Sequence, residues 1–370
     1  MPTKRRYFLF LILTVTLTTL FLAESCIRLF SEAGYITPEI LKKNSLQYVP
    51  APFSKFALAP QEQEVVNSLG AKIHINARGY RGRDFEIPKS KGRVRIVFYG
   101  GSSTFDIAAS EGQDWPRRVE ARLKEMGFSH VEVINAGVPG YSTFDAFGSL
   151  FAEGHLLDPD FVILYDTWND IKYFGHPESL LRQYRPYNDR DNPLLEYQNL
   201  IDRLLCELSQ LYVRLRYRYF LWKYPFGLEG KKAASGTISE IAQTALRQYQ
   251  LNLEMFVDLA RNIGAVPVLM TEARLADSHS PETQKEKIHF EYHTLTPDSV
   301  FEAFRKSDEI IFRVAGKKNI PWIDASRQMT GHEDFFIDEV HLSQKGSGEL
   351  AHLTAEALAP LLKQKETLRT

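Results

Sequence analysis

The sequence has little cysteine: Cys26 and Cys206 are the two in a chain of 370 residues. Cys26 lies at the edge of the N-terminal apolar run, so the pair provides no disulfide framework of the kind that small secreted domains use. Cys206 stands in the stretch Leu204-Leu205-Cys206-Glu207-Leu208, which is typical of a small buried residue on a helix. We therefore expect neither a disulfide scaffold nor a cysteine nucleophile.

An excess of charge of either sign is also missing. Lys and Arg total 45 against 46 Asp and Glu, a formal net charge of −1. Such a balance gives no overall field toward nucleic acid, and we expect no nucleic-acid partner. The stretch 212–223 does alternate arginines with aromatic residues. Its arginines spread around a helix, which favours a helix packed on the core with solvated arginines, with contact to a membrane surface as the second interpretation.

A long uncharged apolar run occurs at the N-terminus, where Lys4, Arg5 and Arg6 precede the run 7–23. Its length is at the short end of the ~17–25 residues of a membrane span and exceeds the ~7–15 of a signal-peptide core. The pattern favours an uncleaved single-pass anchor over residues 1–30, then a cleaved signal that would release a secreted protein, then a lipoprotein at Cys26. Because Arg28 is the one basic residue soon after the run, the N-terminus is predicted inside and the remainder outside the membrane.

The rest of the chain divides by pattern into an arm and a domain. Residues 31–90 are polar, with prolines at 38, 50, 52, 60 and 88, and predict a juxtamembrane arm. Strands are then predicted at 95–99, 131–134, 160–165, 265–271 and 320–324, and helices at 115–126, 143–155, 238–262, 297–317 and 346–362. This alternation predicts a three-layer α/β/α domain over 91–365, with a doubly wound, mostly parallel five-stranded sheet. A loop at 173–193 and a long helix at 194–224 predict a helical insertion at 172–236.

Two histidines have the spacing of metal ligands. His289 and His293 stand four residues apart, as in a helical metal site, but without an apolar scaffold or a clear third ligand. We interpret them as solvated histidines and expect neither a metal nor another cofactor.

Four short blocks fall just after predicted strands or in the last loop of the domain. They are Gly100-Gly101-Ser102, Asn135 to Gly140, Asn169-Asp170, and Asp338 to His341. In open α/β sheets the carboxyl ends of the strands form the edge where ligands bind. These residue types suit acyl transfer, because a hydroxyl nucleophile needs a base, the base needs an orienting carboxylate, and donors must face the developing oxyanion.

The four blocks, in this order, resemble those of the SGNH (GDSL-type) hydrolase superfamily, which is named for its Ser, Gly, Asn and His. The resemblance covers about residues 90–360 and implies a flavodoxin-like fold. It implies the following roles: Ser102 as nucleophile, His341 as general base, Asp338 as the residue that orients His341, and Gly140 and Asn169 joining the Ser102 N–H in the oxyanion hole. Gly140 is preferred to Gly137, because the glycine of that family lies about five residues past the asparagine.

Two residues depart from the family pattern, and three more are interpreted beside it. Gly101 stands where the family has Asp, and Thr167 where it has Gly; neither change removes a catalytic group. Asp170 is predicted to cap the turn after Asn169. Asp106 and Trp168 are expected to line the substrate cleft.

The resemblance implies a serine esterase, since the family acts on acetylated sugars, lipids and thioesters. With an N-terminal anchor, an O-acyl ester (O-acetyl first) of an envelope carbohydrate is the first expectation, on the periplasmic side of a bacterial inner membrane, and a lipid is the second. The same triad would also serve an O-acyltransferase. The rival of another class is a non-catalytic domain that binds glycan or acts as a scaffold, and loss of Ser102, His341 or Asn169 would favour it. The sequence does not identify any protein partner.

Overall fold

The computed structural model describes residues 2–30, 35–61, 64–67, 69–177, 196–223 and 238–369. Contacts divide the chain into two compact units. One consists of Met1–Ser45 with Asn188–Lys231, and the other of Leu46–Tyr187 with Lys232–Thr370.

The strands and helices of the described residues are numbered in chain order. The strands are β1 Tyr48–Val49, β2 Ala57–Leu58, β3 Val65–Val66, β4 Lys72–Ile73, β5 Val94–Gly100, β6 Val131–Gly137, β7 Phe161–Tyr165, β8 Val266–Met270 and β9 Trp322–Ile323. The helices are α1 Pro2–Phe30, α2 Pro38–Lys43, α3 Ser102–Phe105, α4 Trp115–Glu125, α5 Thr143–Leu157, α6 Trp168–Ile171, α7 Leu200–Leu208, α8 Gln210–Lys223, α9 Gln243–Asn262, α10 Glu282–Lys285, α11 Pro297–Lys318, α12 Ala325–Met329 and α13 Gln344–Arg369. Two 3₁₀ turns cover Phe290–Tyr292 and Glu333–Phe335.

The first unit contains α1, α2, α7 and α8. The part of α1 from Lys4 to Phe30 has 27 residues, and its most apolar 18-residue window has a mean hydropathy of 1.9 and is not buried. Such a helix is long and apolar enough to cross a membrane. This rests on length and composition alone, and a signal sequence at an N-terminus has the same features.

The prediction of a single continuous helix at 194–224 is wrong. The chain forms α7 and α8 instead, because the backbone of Ser209 between them is extended, with φ −133° and ψ 116°. Glu24 of α1 accepts the N–H groups of Gln210 and Leu211 at 2.9 and 2.8 Å and so caps the start of α8. Arg216 is also not solvated as expected, because it is buried against Asp202 at 2.8 Å. Residues 178–195 and 224–237, which include much of the predicted insertion, lie outside the described residues.

The second unit is built on a five-stranded sheet with the order β6-β5-β7-β8-β9. Every neighbouring pair in it is parallel. In the register, Gly100 of β5 lies beside Gly137 of β6 and Tyr165 of β7. The carboxyl ends of these three strands therefore share one edge, and the residues that follow them are neighbours. The predicted doubly wound five-stranded sheet is confirmed.

Helices cover both faces of this sheet, as a three-layer fold requires. All seven residues of β5 are buried. Ile96 and Phe98 face a core that includes residues of α4 and α13, whereas Val97 and Tyr99 face a second core with residues of α5, α9 and α11. This alternation follows from the two-residue period of a strand, and burial on both faces explains why its residues 96–99 are all apolar.

The predicted boundary between a juxtamembrane arm at 31–90 and a domain that begins at residue 91 differs from the division in the structure. Residues 46–90 lie in the same compact unit as the sheet. Their hairpins β1–β2 and β3–β4 bury Phe56, Ile73 and Ile75 in a small core with Phe105 and Tyr141. Smaller differences concern boundaries: α9 begins at Gln243, β9 has two residues, and α13 extends to Arg369.

Candidate active site

Ser102 stands where the central strand turns into a helix. β5 ends at Gly100, Gly101 precedes the helix with φ −87° and ψ −149°, and Ser102 is the first residue of α3. The following residues of α3 are buried, while Ser102 is partly exposed. The sequence thus places one accessible hydroxyl at the carboxyl edge of the sheet.

His341 connects Ser102 to a carboxylate. Its Nε2 lies 2.6 Å from the Oγ of Ser102, and its Nδ1 lies 2.7 Å from the Oδ2 of Asp338. The other oxygen of Asp338, Oδ1, accepts the backbone N–H groups of Val340 and His341 at 3.1 and 2.9 Å. These bonds close a tight turn, which is why a spacing of three residues places the carboxylate behind the imidazole. Hydroxyl, imidazole and carboxylate have the order that nucleophilic catalysis needs.

The charges of this pair favour a protonated imidazole next to an ionised carboxylate. Burial lowers the pKa of His341, but the hydrogen bond and charge of Asp338, with smaller contributions from Glu339 and Glu272, outweigh it and raise that pKa above its ordinary 6.5. Burial raises the pKa of Asp338, but its bonds to His341 and Val340 outweigh burial and leave that pKa below its ordinary value. Asp338 can therefore stabilise the imidazolium that forms when His341 takes a proton from Ser102.

Asn169 lies against the start of α3. It follows β7 in α6, and its Nδ2 donates to the carbonyl of Tyr141 at 2.8 Å. A Cβ added at Gly101 would stand 2.8 Å from the same Nδ2. The Asn169 amide is thus packed against the residue that precedes Ser102.

Gly140 fits an oxyanion hole better than Gly137. Gly140 has φ +90°, a left-handed conformation that favours glycine, and it is partly exposed. Gly137 is buried, and a Cβ there would meet the backbone nitrogen of Phe105 at 2.4 Å, so it serves the packing of α3. Among the described residues, the backbone N–H groups of Ser102 and Gly140 donate to no protein acceptor. These N–H groups and the Asn169 amide are the donors that the site can offer to an oxyanion.

The two residues expected to line the cleft are buried. Asp106 is 2% exposed, and its Oδ2 accepts the backbone N–H of Trp115 at 2.9 Å. Burial raises the pKa of Asp106 to about 6, against the opposing charge of Arg81. Trp168 is 6% exposed, because its indole stacks between Tyr292 and Phe304 at ring distances of 5.7 and 5.9 Å. The expectation that Asp106 and Trp168 line the substrate cleft is therefore corrected: both side chains are buried in the interior.

The interpretation of both histidines as solvated is wrong for His293. It is fully buried, and its ring packs edge-on against Trp168 at 4.2 Å. Burial, followed by the charge of Lys172, lowers the pKa of His293 to about 3 and keeps it neutral. His289 is exposed, with its Nδ1 3.1 Å from Glu339. The two flank the 3₁₀ turn Phe290–Tyr292 and so do not share a helical face.

Asp170 is structural, but it caps a different element from the one predicted. Its carboxylate accepts the backbone N–H of Thr143 at 2.9 Å and the Thr143 hydroxyl at 2.6 Å, at the start of α5. Burial raises the pKa of Asp170 to about 7, although the bonds from Thr143 oppose the rise. Asp170 therefore ties the loop after β7 to the loop after β6.

The sequence patterns did not predict three residues that support the site. The Tyr292 hydroxyl donates to Oδ1 of Asn169 at 2.8 Å. Glu272 accepts the backbone N–H of Trp168 at 2.6 Å. Arg81 is buried and donates to the carbonyl of Asp106 at 2.8 Å, at the end of α3. Glu272 follows a strand by two residues, a position that could have indicated it; the other two have no local signal.

Comparison with known proteins gives similarities of fold. No protein-family model matches the sequence, and no curated protein matches it. Solved structures match as follows. An acetyl xylan esterase matches at 14% identity over 72% of this chain and 100% of that chain, with a TM-score of 0.43. A lipase/acylhydrolase from Enterococcus faecalis matches at 18% identity over 72% of this chain and 96% of that chain, also with a TM-score of 0.43. The chemistry of the site is therefore inferred from its own geometry.

Proposed function

We propose that this chain is a serine hydrolase that cleaves ester bonds through an acyl-serine intermediate. One observation carries this conclusion: Ser102, His341 and Asp338 form a continuous hydrogen-bonded series with distances of 2.6 and 2.7 Å. Ser102 is partly exposed, so an ester can reach its Oγ.

The steps follow from the positions of these groups. Oγ of Ser102 attacks the ester carbonyl carbon while Nε2 of His341 takes the hydroxyl proton, and the carbonyl oxygen becomes an oxyanion. The N–H groups of Ser102 and Gly140 and the side-chain amide of Asn169 donate to that oxygen. As the tetrahedral intermediate collapses, the bond to the alcohol oxygen breaks and His341 returns the proton to the leaving alcohol. Water then attacks the acyl-serine, with His341 again as the base, and releases the acid.

The substrate class is proposed from the resemblance of the four blocks and from the N-terminal helix. An O-acyl ester, O-acetyl first, of an envelope carbohydrate is the proposed substrate, with an acylated lipid second. The basic residues before the apolar run of α1 favour anchorage in a bacterial inner membrane, with the domain on the periplasmic side. An alkaline phosphatase fusion after residue 45 should be active in cells if this orientation is right, and inactive if the domain is cytoplasmic.

The experiment that tests the reaction uses the full chain purified in detergent. The wild type should hydrolyse p-nitrophenyl acetate and react with a fluorophosphonate probe, and Ser102→Ala should lose both. Ser103→Ala is the matched control, since it removes the neighbouring hydroxyl, and it should keep both. If the wild type shows neither activity nor labelling, the catalytic proposal fails and a non-catalytic binding domain takes its place.

The acyl acceptor is decided by product analysis. Acetylated polysaccharide incubated with the wild type should release free acetate. Acetyl groups that appear instead on a sugar hydroxyl of an added acceptor would identify an acyltransferase and contradict hydrolysis as the main activity.

A further inference from the structure

The side-chain amide of Asn169 is held at both of its ends. Its Nδ2 donates to the Tyr141 carbonyl at 2.8 Å, and its Oδ1 accepts the hydroxyl of Tyr292 at 2.8 Å. The two partners require opposite ends of the amide: a carbonyl needs a donor, and the hydroxyl donates to the amide oxygen. Together they select a single orientation, in which Nδ2 lies beside Gly101, the residue that precedes Ser102.

This orientation matters for the proposed reaction. An amide nitrogen can donate to an oxyanion, but an amide turned by 180° would present its oxygen and repel the same charge. Because electrostatic stabilisation depends on donors that are already aimed, a group that holds the Asn169 amide contributes to the transition state without touching it.

Tyr292 is itself fixed in place. Its ring stacks on Trp168 at 5.7 Å with only 7° between the planes. Trp168 precedes Asn169 in the chain and is packed on its other side by Phe304 at 5.9 Å. The Nζ of Lys172 lies 5.7 Å from the Tyr292 ring, within the range of a cation–π contact. The hydroxyl therefore cannot leave Asn169 without unstacking the ring.

We propose that Tyr292 is a positioning residue for the oxyanion hole, acting through the amide of Asn169. This rests on the proposed function. Tyr292 reaches the site from a 3₁₀ turn 123 residues away along the chain from Asn169. Removing its hydroxyl should weaken stabilisation of the transition state while leaving substrate binding intact.

Tyr292→Phe is the direct test, since it keeps the ring and its stacking on Trp168. We expect kcat for p-nitrophenyl acetate to fall about ten-fold with KM within two-fold, because one neutral positioning bond is lost and the donor remains. The pH at which activity falls on the acid side should not move, because Asp338 and His341 are untouched. Tyr99→Phe is the matched control: the Tyr99 hydroxyl is buried without a hydrogen-bond partner among the described residues, and kcat should not change.

A double-mutant cycle separates positioning from a general structural effect. Asn169→Ala should lower kcat more than Tyr292→Phe does, and adding Tyr292→Phe to Asn169→Ala should cause no further loss. The same ten-fold loss on the Asn169→Ala background, or wild-type kcat in Tyr292→Phe, would overturn the proposal while the wild type remains an active esterase. A wild type without activity or Ser102 labelling would instead overturn the proposed function, and this inference with it.

Discussion

The Nδ2 of Asn169 lies 2.8 Å from the point that a Cβ of Gly101 would occupy. The carbonyl oxygen of Tyr141, which accepts a hydrogen bond from the same Nδ2, lies 2.9 Å from that point. A side chain at position 101 would therefore push apart the amide and the backbone that fixes it. In this chain the position has no room for the aspartate found there in the family that the sequence resembles.

Gly101→Ala should consequently impair catalysis more than folding. Its φ of −87° is open to alanine, so the expected loss comes from displacement of the Asn169 amide. We expect kcat to fall about 10- to 100-fold, less than or equal to the loss of a whole oxyanion donor. Gly316→Ala is the control, because nothing lies within 4 Å of a Cβ there. Wild-type kcat in Gly101→Ala, measured with a p-nitrophenyl ester, would contradict the proposed role of Asn169.

The pH dependence of the proposed reaction should follow His341. A base must be neutral to take the proton of Ser102, so kcat/KM should fall as the pH drops through the pKa of His341, which lies above 6.5. Asp338→Asn removes the hydrogen-bonding carboxylate that raises this pKa. In this variant the fall of kcat/KM at acidic pH should therefore occur at a lower pH, and kcat should decrease by about 10³- to 10⁴-fold.

The control for Asp338→Asn removes a charge from the same loop. Asp334 is exposed and pairs with Lys345, so Asp334→Asn should leave both the pH dependence of kcat/KM and kcat itself unchanged. If kcat/KM of Asp338→Asn, measured from pH 5 to 9, falls at the same acidic pH as in the wild type, another group governs the pH dependence.

The sheet and the proximity of Asp338 to His341 were predictable because their signals are local. A strand buried on both faces has a continuous apolar segment, here residues 96–99 of β5, and Gly100 and Gly101 mark where β5 ends. Asp338 and His341 are three residues apart in a turn that their own hydrogen bonds close.

The supporting residues were not predictable, since their roles depend on tertiary contacts. Asp106 is four residues from Ser102, but α3 turns it inward to Trp115. Tyr292 meets Asn169 through a tertiary contact between residues 123 positions apart in the chain. Arg81 lies in the polar stretch that predicts a juxtamembrane arm, yet its side chain is buried.

Arg81→Met should destabilise the fold. The guanidinium donates to the carbonyl of Asp106 and faces the buried carboxylate of Asp114 at 3.7 Å. Methionine can replace neither interaction: the Asp106 carbonyl keeps the N–H of Ala109, but the buried carboxylate of Asp114 loses the charge of Arg81, which should lower the free energy of unfolding by about 3–5 kcal/mol. Arg78→Met, an exposed neighbour in the same turn, should change it by less than about 0.5 kcal/mol. Urea unfolding of the full chain in detergent measures both, and equal values for the two variants would contradict a buttressing role.

Asp170 should make the fold less stable as the pH rises. Its pKa is about 7 in the folded chain against an ordinary 3.8, because burial disfavours the charged form. Between these values the folded state holds a proton that the unfolded state has released, so the free energy of unfolding falls with rising pH, by up to about 1.4 kcal/mol per pH unit.

Asp170→Asn removes this titration and should make the fall in stability between about pH 4 and 7 shallower, while the buried Asp166, whose pKa is also raised, keeps its own contribution. An asparagine oxygen can still accept from Thr143, so the start of α5 keeps a cap. Urea unfolding at several pH values compares the slopes of wild type and variant, with Asp298→Asn on the exposed start of α11 as the control that keeps the wild-type slope. Identical slopes in wild type and Asp170→Asn would mean that the buried carboxyl group is ionised throughout this range.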